Sequence, residues 1–265
     1  MIVDKLLTPF LRLPHFKGKT RLEELLRRLL WTPSQTKVFG DLRMELDRAE
    51  WTQMQLLKRN WLEPLTLALY ENVLRPGDVF VDVGAHVGFH SLVARKLVGP
   101  AGLIIAIEPQ PYNAQKIMAN WRANNFTNLK LIIAAASDAD SWAELSDQPI
   151  TDRTLLTLRG NSGKDEAQRF EVATVRLDSI LNRHKISRVK LLKLDVEGYE
   201  QQVMTGLADR VRDVESIIFE LLPNASNVVP QVLRDRGFEL RTVEDREWQS
   251  GDPIPENNLW AQHSN

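Results

Sequence analysis

From about residue 60 onward, short unbroken apolar runs alternate with amphipathic stretches, and this rhythm restricts the fold more than any other feature of the chain. Val79–Val83 (VFVDV), Leu103–Ile107 (LIIAI), residues 129–134 (LKLIIA), Val189–Leu194 (VKLLKL) and residues 216–221 (SIIFEL) read as strands. Residues 64–74, 88–98, 111–124, 200–206 and 228–236 read as helices, the second with Phe89, Leu92, Val93 and Leu97 on one face and the third with Ala114, Ile117, Met118 and Trp121. Strands are expected again at 238–243 and 258–262. Such alternation implies an α/β fold: a mostly parallel sheet with helices on both faces. Runs as apolar as VFVDV and LIIAI fit burial from both sides.

Two regions depart from the rhythm. Residues 36–57 read as short strands and turns around Gly40 and Asp41. Residues 140–177 are less regular, with strands expected at 142–145, 155–158 and 170–175 around a GNSGK loop at 160–164. Ahead of both, residues 20–31 (TRLEELLRRLLW) have helical spacing with Thr20 as N-cap; packing against the main domain is the favoured reading over a helix lying on a membrane surface. The chain therefore divides into an extension, 1–60, that is a candidate lid over an acceptor, and a main domain, 61–265.

Composition excludes some chemistry. Without cysteine there is no disulfide, thiolate zinc site or cysteine nucleophile, which suits a cytoplasmic protein. The 34 Lys+Arg against 35 Asp+Glu give no global electrostatic reason to expect nucleic acid as partner. No apolar run approaches the roughly 18–20 residues that span a bilayer. Asp4, Lys5 and Arg12 interrupt the apolar start, so no signal peptide is expected.

In open parallel sheets ligands bind beyond the carboxyl ends of the strands. The first such end reads Asp82-Val83-Gly84-Ala85-His86-Val87-Gly88, a glycine-bracketed turn into a helix. The second carries Glu108, twenty residues after Gly88, placed to accept hydrogen bonds from both ribose hydroxyls of a nucleoside. A dinucleotide fingerprint would need a glycine where His86 stands, and Asp82 suits a cation better than a diphosphate. S-adenosylmethionine, a cation without phosphate, fits better than NAD. Ser137 and Asp138, at the third end, could contact an adenine amino group. The fourth end, Asp195-Val196-Glu197-Gly198-Tyr199-Glu200, packs three carboxylates into six residues. They could take a proton from an acceptor hydroxyl, hold a divalent cation or orient the cofactor. Glu220 closes the fifth, where a buried carboxylate needs a partner. His86 and His90 flank the cofactor turn and are alternative bases. Trp31, Trp51 and Trp61 are candidates for an acceptor cleft, although core packing is the commoner use of such rings.

The runs VFVDVGAHVGFHSL, AIEPQPYNAQKIMANWRANN, AAASD, VKLLKLDVEGYEQQVMTG and SIIFELLP, in this order over residues 62–222, resemble the FkbM-type S-adenosylmethionine-dependent methyltransferases. The resemblance implies a class I methyltransferase Rossmann-like fold, a seven-stranded sheet with one antiparallel strand near its end, for which 258–262 is the candidate. It implies O-methylation of a hydroxyl on a sugar, glycan or natural product. By position Asp82, Gly84, Ala85 and Gly88 match the cofactor loop, Glu108 the ribose acid, Ser137 and Asp138 the adenine-side loop, and Asp195, Glu197, Gly198 and Glu200 the acidic block. His86 departs from the asparagine usual there. Asp195 is the expected base, with Glu197 and His90 as alternatives; metal dependence is left open. The rival readings are an NAD-type oxidoreductase, a non-catalytic cofactor-binding domain and a nucleic-acid methyltransferase.

Overall fold

The structure, a computed structural model, describes residue 19 and residues 34–47, 50–59, 62–147, 168–221 and 228–263. The helix expected at 20–31, the strand at 155–158, the loop at 160–164, and Trp31 and Trp61 lie outside the described residues.

The chain runs through β1 (Ser34–Val38), β2 (Leu42–Leu46), α1 (Trp51–Arg59), α2 (Pro64–Val73), β3 (Val79–Val83), α3 (Phe89–Val98), β4 (Leu103–Ile107), α4 (Pro111–Ala123), β5 (Leu129–Ile132), β6 (Ala135–Ala136), β7 (Ser141–Asp147), β8 (Gln168–Val175), α5 (Leu177–Arg183), β9 (Val189–Leu194), α6 (Glu200–Leu207), β10 (Val214–Glu220), α7 (Val228–Asp235), β11 (Phe238–Thr242) and β12 (Asn258–His263). Seven strands form the main sheet in the order β11-β12-β10-β9-β3-β4-β5. The ladders from β10 across to β5 are parallel. β12 runs antiparallel to both its neighbours. This is the class I methyltransferase topology, with the expected antiparallel strand at 258–263.

Strand alternation sorts side chains between two cores. Val81, Ile105, Leu192 and Ile217 pack with Leu181 of α5, Val203 of α6 and Leu233 of α7. Phe80, Ile104, Leu191 and Ile218 face the other way, against Tyr70 of α2 and Leu92 of α3. The β1–β2 hairpin joins this second core through Val38, Leu42, Met44 and Leu46. It is also bonded to α4: Asn120 Oδ1 accepts from the Glu45 amide at 2.7 Å, and Asn124 both accepts from and donates to the Arg43 backbone.

The structure corrects the sequence reading at several elements. Residues 51–59 form a helix where only strands and turns were expected; both Glu50 carboxylate oxygens accept from the Thr52 and Gln53 amides and so cap it. The seven-residue α5 was not expected, because Leu177, Ile180 and Leu181 give only one helical repeat. The strand expected at 129–134 stops at Ile132, and Ala135–Ala136 pair instead with β8, in a small β6-β8-β7 sheet.

β3 is the switch point. From it the chain steps to β4 and β5 on one side, and later to β9 and β10 on the other. The loops after β3 and β9 therefore part at their carboxyl ends and leave a crevice.

Candidate functional site

A cavity opens at that crevice, lined by Gly84, Ala85 and His86 after β3, Glu108 after β4, Ala135 and Ala136 of β6, and Asp195 to Tyr199 after β9. Thr52 and Leu56 of α1, together with Leu62 and Glu63, close its other side.

Gly84 is required by its neighbours. Its φ is 80°, and a Cβ there would lie 1.8 Å from the Asp195 carbonyl oxygen. The β3 and β9 loops thus touch backbone to backbone. The Gly84 and Ala85 amides both donate to the Ile107 carbonyl, and Gly88 (φ 85°) starts α3 with Ile117 against it. His86 is left-handed too, at φ 51°. Asparagine and histidine are among the non-glycine residues most often found in that region, so the family's usual asparagine and this histidine meet the same backbone demand.

Glu108 is buried and held on both oxygens. Oε2 accepts from the His86 amide (2.8 Å); Oε1 accepts from the Gln110 amide (3.0 Å) and from Asn113 Nδ2 (3.2 Å). Burial pushes its carboxyl up to about 7, against the pull of these donors. Asp82 is not on the cavity wall. It is fully buried beneath it, where Oδ2 accepts from Ser91 Oγ at 2.6 Å and Oδ1 has no partner. Burial raises its carboxyl, and Lys193, opposite it in the β3–β9 register, opposes the rise. Ser137 is buried off the lining too, bonded to Asp138 and to the Val175 carbonyl, with its own carbonyl packed against Gly206, while Asp138 is exposed at the surface.

At the β9 end, Lys193 Nζ sits 2.7 Å from Asp195 Oδ2. The lysine is 2% exposed. Burial pulls it down, but Asp195, Glu63 and Asp82 overcome this and hold it well above the usual lysine range. Glu197 is left-handed at φ 53°. Glu200 turns inward and accepts from the Val196 and Gly198 amides, which fixes the loop. Glu220 has a buried Oε2 without a partner; burial, then Asp195, Glu197 and Glu200, push it up to about 8.

His90 lines the cavity between Tyr70, whose hydroxyl is 3.2 Å from Nδ1, and Glu63, whose Oε2 is 3.6 Å from Nε2. Burial and then Lys193 keep its ring neutral well below the ordinary histidine range. Burial lowers His86 as well, and its Nε2 has no partner.

Sequence reasoning missed Lys193, Glu63 and Asn113. Lys193 carried a signal: a lysine inside an apolar central strand cannot stay buried without counter-charges. Glu63, one residue ahead of the helix expected at 64–74, lines the cavity at φ 46°, held by Asn258 Nδ2 at 2.8 Å and pushed up to about 7 by burial. Nothing local marks Asn113, which reaches the cavity from the first turn of α4. Among the described residues, no group of three or more His, Asp or Glu side chains is placed to hold a metal ion. Among them, too, no helix is long and apolar enough to cross a membrane.

A family model described as the methyltransferase FkbM domain matches residues 82–240, more than half of the chain. The chain belongs to the FkbM methyltransferase family. A relative of this FkbM methyltransferase, 31-O-demethyl-FK506 methyltransferase FkbM of Streptomyces tacrolimicus, is 28% identical over 204 residues, covering 65% of this chain and 76% of the relative. The hexuronic acid methyltransferase AglP of Haloferax volcanii is 22% identical over 144 residues, covering 54% of this chain and 56% of AglP. Among solved structures, methyltransferase FkbM of Methylobacillus flagellatus aligns with a TM-score of 0.45 at 12% identity, over 93% of this chain and 60% of that one. The FkbM match begins at Asp82, so Thr52, Leu56 and Glu63 enter the cavity from outside it.

Proposed function

We propose that this FkbM methyltransferase takes its methyl group from S-adenosylmethionine and transfers it to a hydroxyl of a sugar, glycan or natural-product small molecule. The observation that carries this reading is one continuous cavity with a caged ribose-type acid, Glu108, on one wall and the Lys193–Asp195 pair on another. The residues fit that donor. Gly84 leaves the backbone bare beside Asp195, the three donors on Glu108 aim its remaining lone pairs, and Ala135 and Ala136 offer a flat apolar wall for a base. NAD fits less well, because His86 stands where a diphosphate would need a glycine. Two relatives, the 31-O-demethyl-FK506 methyltransferase FkbM and the hexuronic acid methyltransferase AglP, support an acceptor of this kind.

The donor supplies a methyl group already activated on a cationic sulfur. The protein's work is then alignment, worth up to roughly 7–11 kcal/mol in model systems, and proton removal, worth typically about 10²–10⁴-fold. Asp195 takes the acceptor's hydroxyl proton as the new O–CH3 bond forms and the S–CH3 bond breaks. Lys193 fixes one oxygen of Asp195 and leaves the other for the acceptor. Glu197 and the neutral ring of His90 are the alternative bases on the same wall. The N-terminal extension, through α1, forms the acceptor side of the cavity. The even charge balance favours a small acceptor over nucleic acid.

Calorimetry with S-adenosylhomocysteine and with NAD tests the donor; binding of NAD alone would point to the oxidoreductase. A radiolabelled-methyl screen over nucleotide sugars, glycans and polyketide-like alcohols, with and without chelator, tests the acceptor and the metal.

A further inference from the structure

Asn113 is 2% exposed and lines the cavity beside Glu108. A side-chain amide has two unlike ends, and a carboxylate accepts only from the NH2 end. The contact from Nδ2 to Glu108 Oε1 at 3.2 Å therefore settles which end is which. Oδ1 is left buried with no hydrogen-bond partner. A buried acceptor without a donor is costly, and native proteins rarely leave one unless something else fills it. Glu108 meanwhile spends Oε1 on two protein donors and Oε2 on one. Oε2 is thus its less occupied oxygen.

We infer that the nucleoside diol is divided between two residues, one hydroxyl donating to Glu108 and the other to Asn113 Oδ1. This rests on the donor reading above and sharpens it, since a lone ribose acid would take both hydroxyls. Asn113 is then a specificity residue. It demands a hydroxyl and rejects a nucleoside without one, because the missing donor leaves a buried carbonyl unpaired.

The test is calorimetry with S-adenosylhomocysteine and its 2′-deoxy and 3′-deoxy analogues, on wild type, Asn113→Ala and Glu108→Gln. In wild type each missing hydroxyl should cost roughly tenfold or more in affinity. In Asn113→Ala one of the two penalties disappears and the other stays; in Glu108→Gln the other one shrinks. If both penalties persist in Asn113→Ala, the residue acts only by orienting Glu108, and the division is wrong. If both vanish together in Glu108→Gln, one acid holds the whole diol, and the division is again wrong. The second arm decides the matter even where Asn113→Ala does not fold. Wild type that ignores S-adenosylhomocysteine is a different failure, that of the donor reading itself.

Discussion

Lys193 Nζ and Asp195 Oδ2 lie 2.7 Å apart at the end of the central strand β9, the lysine wholly enclosed and the aspartate facing the cavity. Asp82 and Glu63 add their charge to the same lysine. One buried cation thus ties the cofactor turn, the acidic loop and the start of α2 into a single electrostatic unit.

Removing that cation should be costly. Lys193→Met keeps most of the volume but leaves buried carboxylates unpaired, which typically costs about 3–5 kcal/mol. At about 2–4 °C per kcal/mol for a domain of this size, the melting temperature should fall by roughly 10 °C. In an Asp195→Asn background the same change should cost measurably less. Equal losses in the two backgrounds, read by thermal denaturation, would show that the pair is not coupled.

Asp195→Asn should retain S-adenosylhomocysteine binding and lose methyl transfer by about 10²–10⁴-fold, the usual worth of a general base. Near-wild-type turnover with the acceptor found in the screen would remove Asp195 from the role. The assay would then move to Glu197→Gln and His90→Asn.

Gly84→Ala should fold poorly and bind no donor. Its Cβ collides with the Asp195 carbonyl in backbone that already sits at φ 80°. Neither chain segment can move aside, because the Asp195 amide donates to the Val83 carbonyl at 3.1 Å. Gly198→Ala is the control. Its φ of 91° carries strain, but no atom lies within 4 Å of the added carbon, so it should be the milder change. Equal melting temperatures for the two variants would contradict this.

Stability of the ligand-free protein should fall as the solution is made more alkaline. Glu63 and Glu108 are pushed up to about 7 and Glu220 to about 8, each chiefly by burial. A carboxyl raised in the folded state binds its proton more tightly there than in the unfolded chain. Its stabilising effect is complete below the unfolded value and is lost as pH rises through the folded one. Below about 6.5 the buried His86 and His90, lowered in the folded state, make stability rise with pH and oppose this trend, so the clean window is about pH 6.5 to 8. Melting temperatures across it should slope downward, and Glu108→Gln should flatten part of the slope. An upward slope would mean that these acids are already ionised in the folded protein.

The strand ends show how far local pattern reaches. VFVDV, LIIAI and VKLLKL announce buried parallel strands because continuous apolar runs have no other economical home. Gly84 and Glu108 stand out because a turn and an acid at successive strand ends mark a ligand crevice. Asp82, Ser137 and Asp138 were equally visible, yet none lines the cavity: Asp82 and Ser137 are buried against protein partners and Asp138 is exposed. Whether a strand-end side chain faces the crevice or the helix beneath depends on the final turn of the strand, and one residue of register reverses it. The helix at 51–59 was hidden for another reason: its cap is a glutamate, which is not among the preferred capping residues.

Periodicity along the chain was enough for the α/β class, the order of the main-sheet strands and the two acidic strand ends, since each is a matter of neighbours within a few residues. Tertiary packing alone decided that Lys193 would be the charge at the centre. Its partners Glu63, Asp82 and Asp195 are brought together from three separate elements. Packing also left Asn113 with an unpaired oxygen beside Glu108 and let α1 and Glu63 complete the cavity. Desolvation and charge pairing depend on distance in space, and the fold sets those distances between residues that lie far apart in the chain.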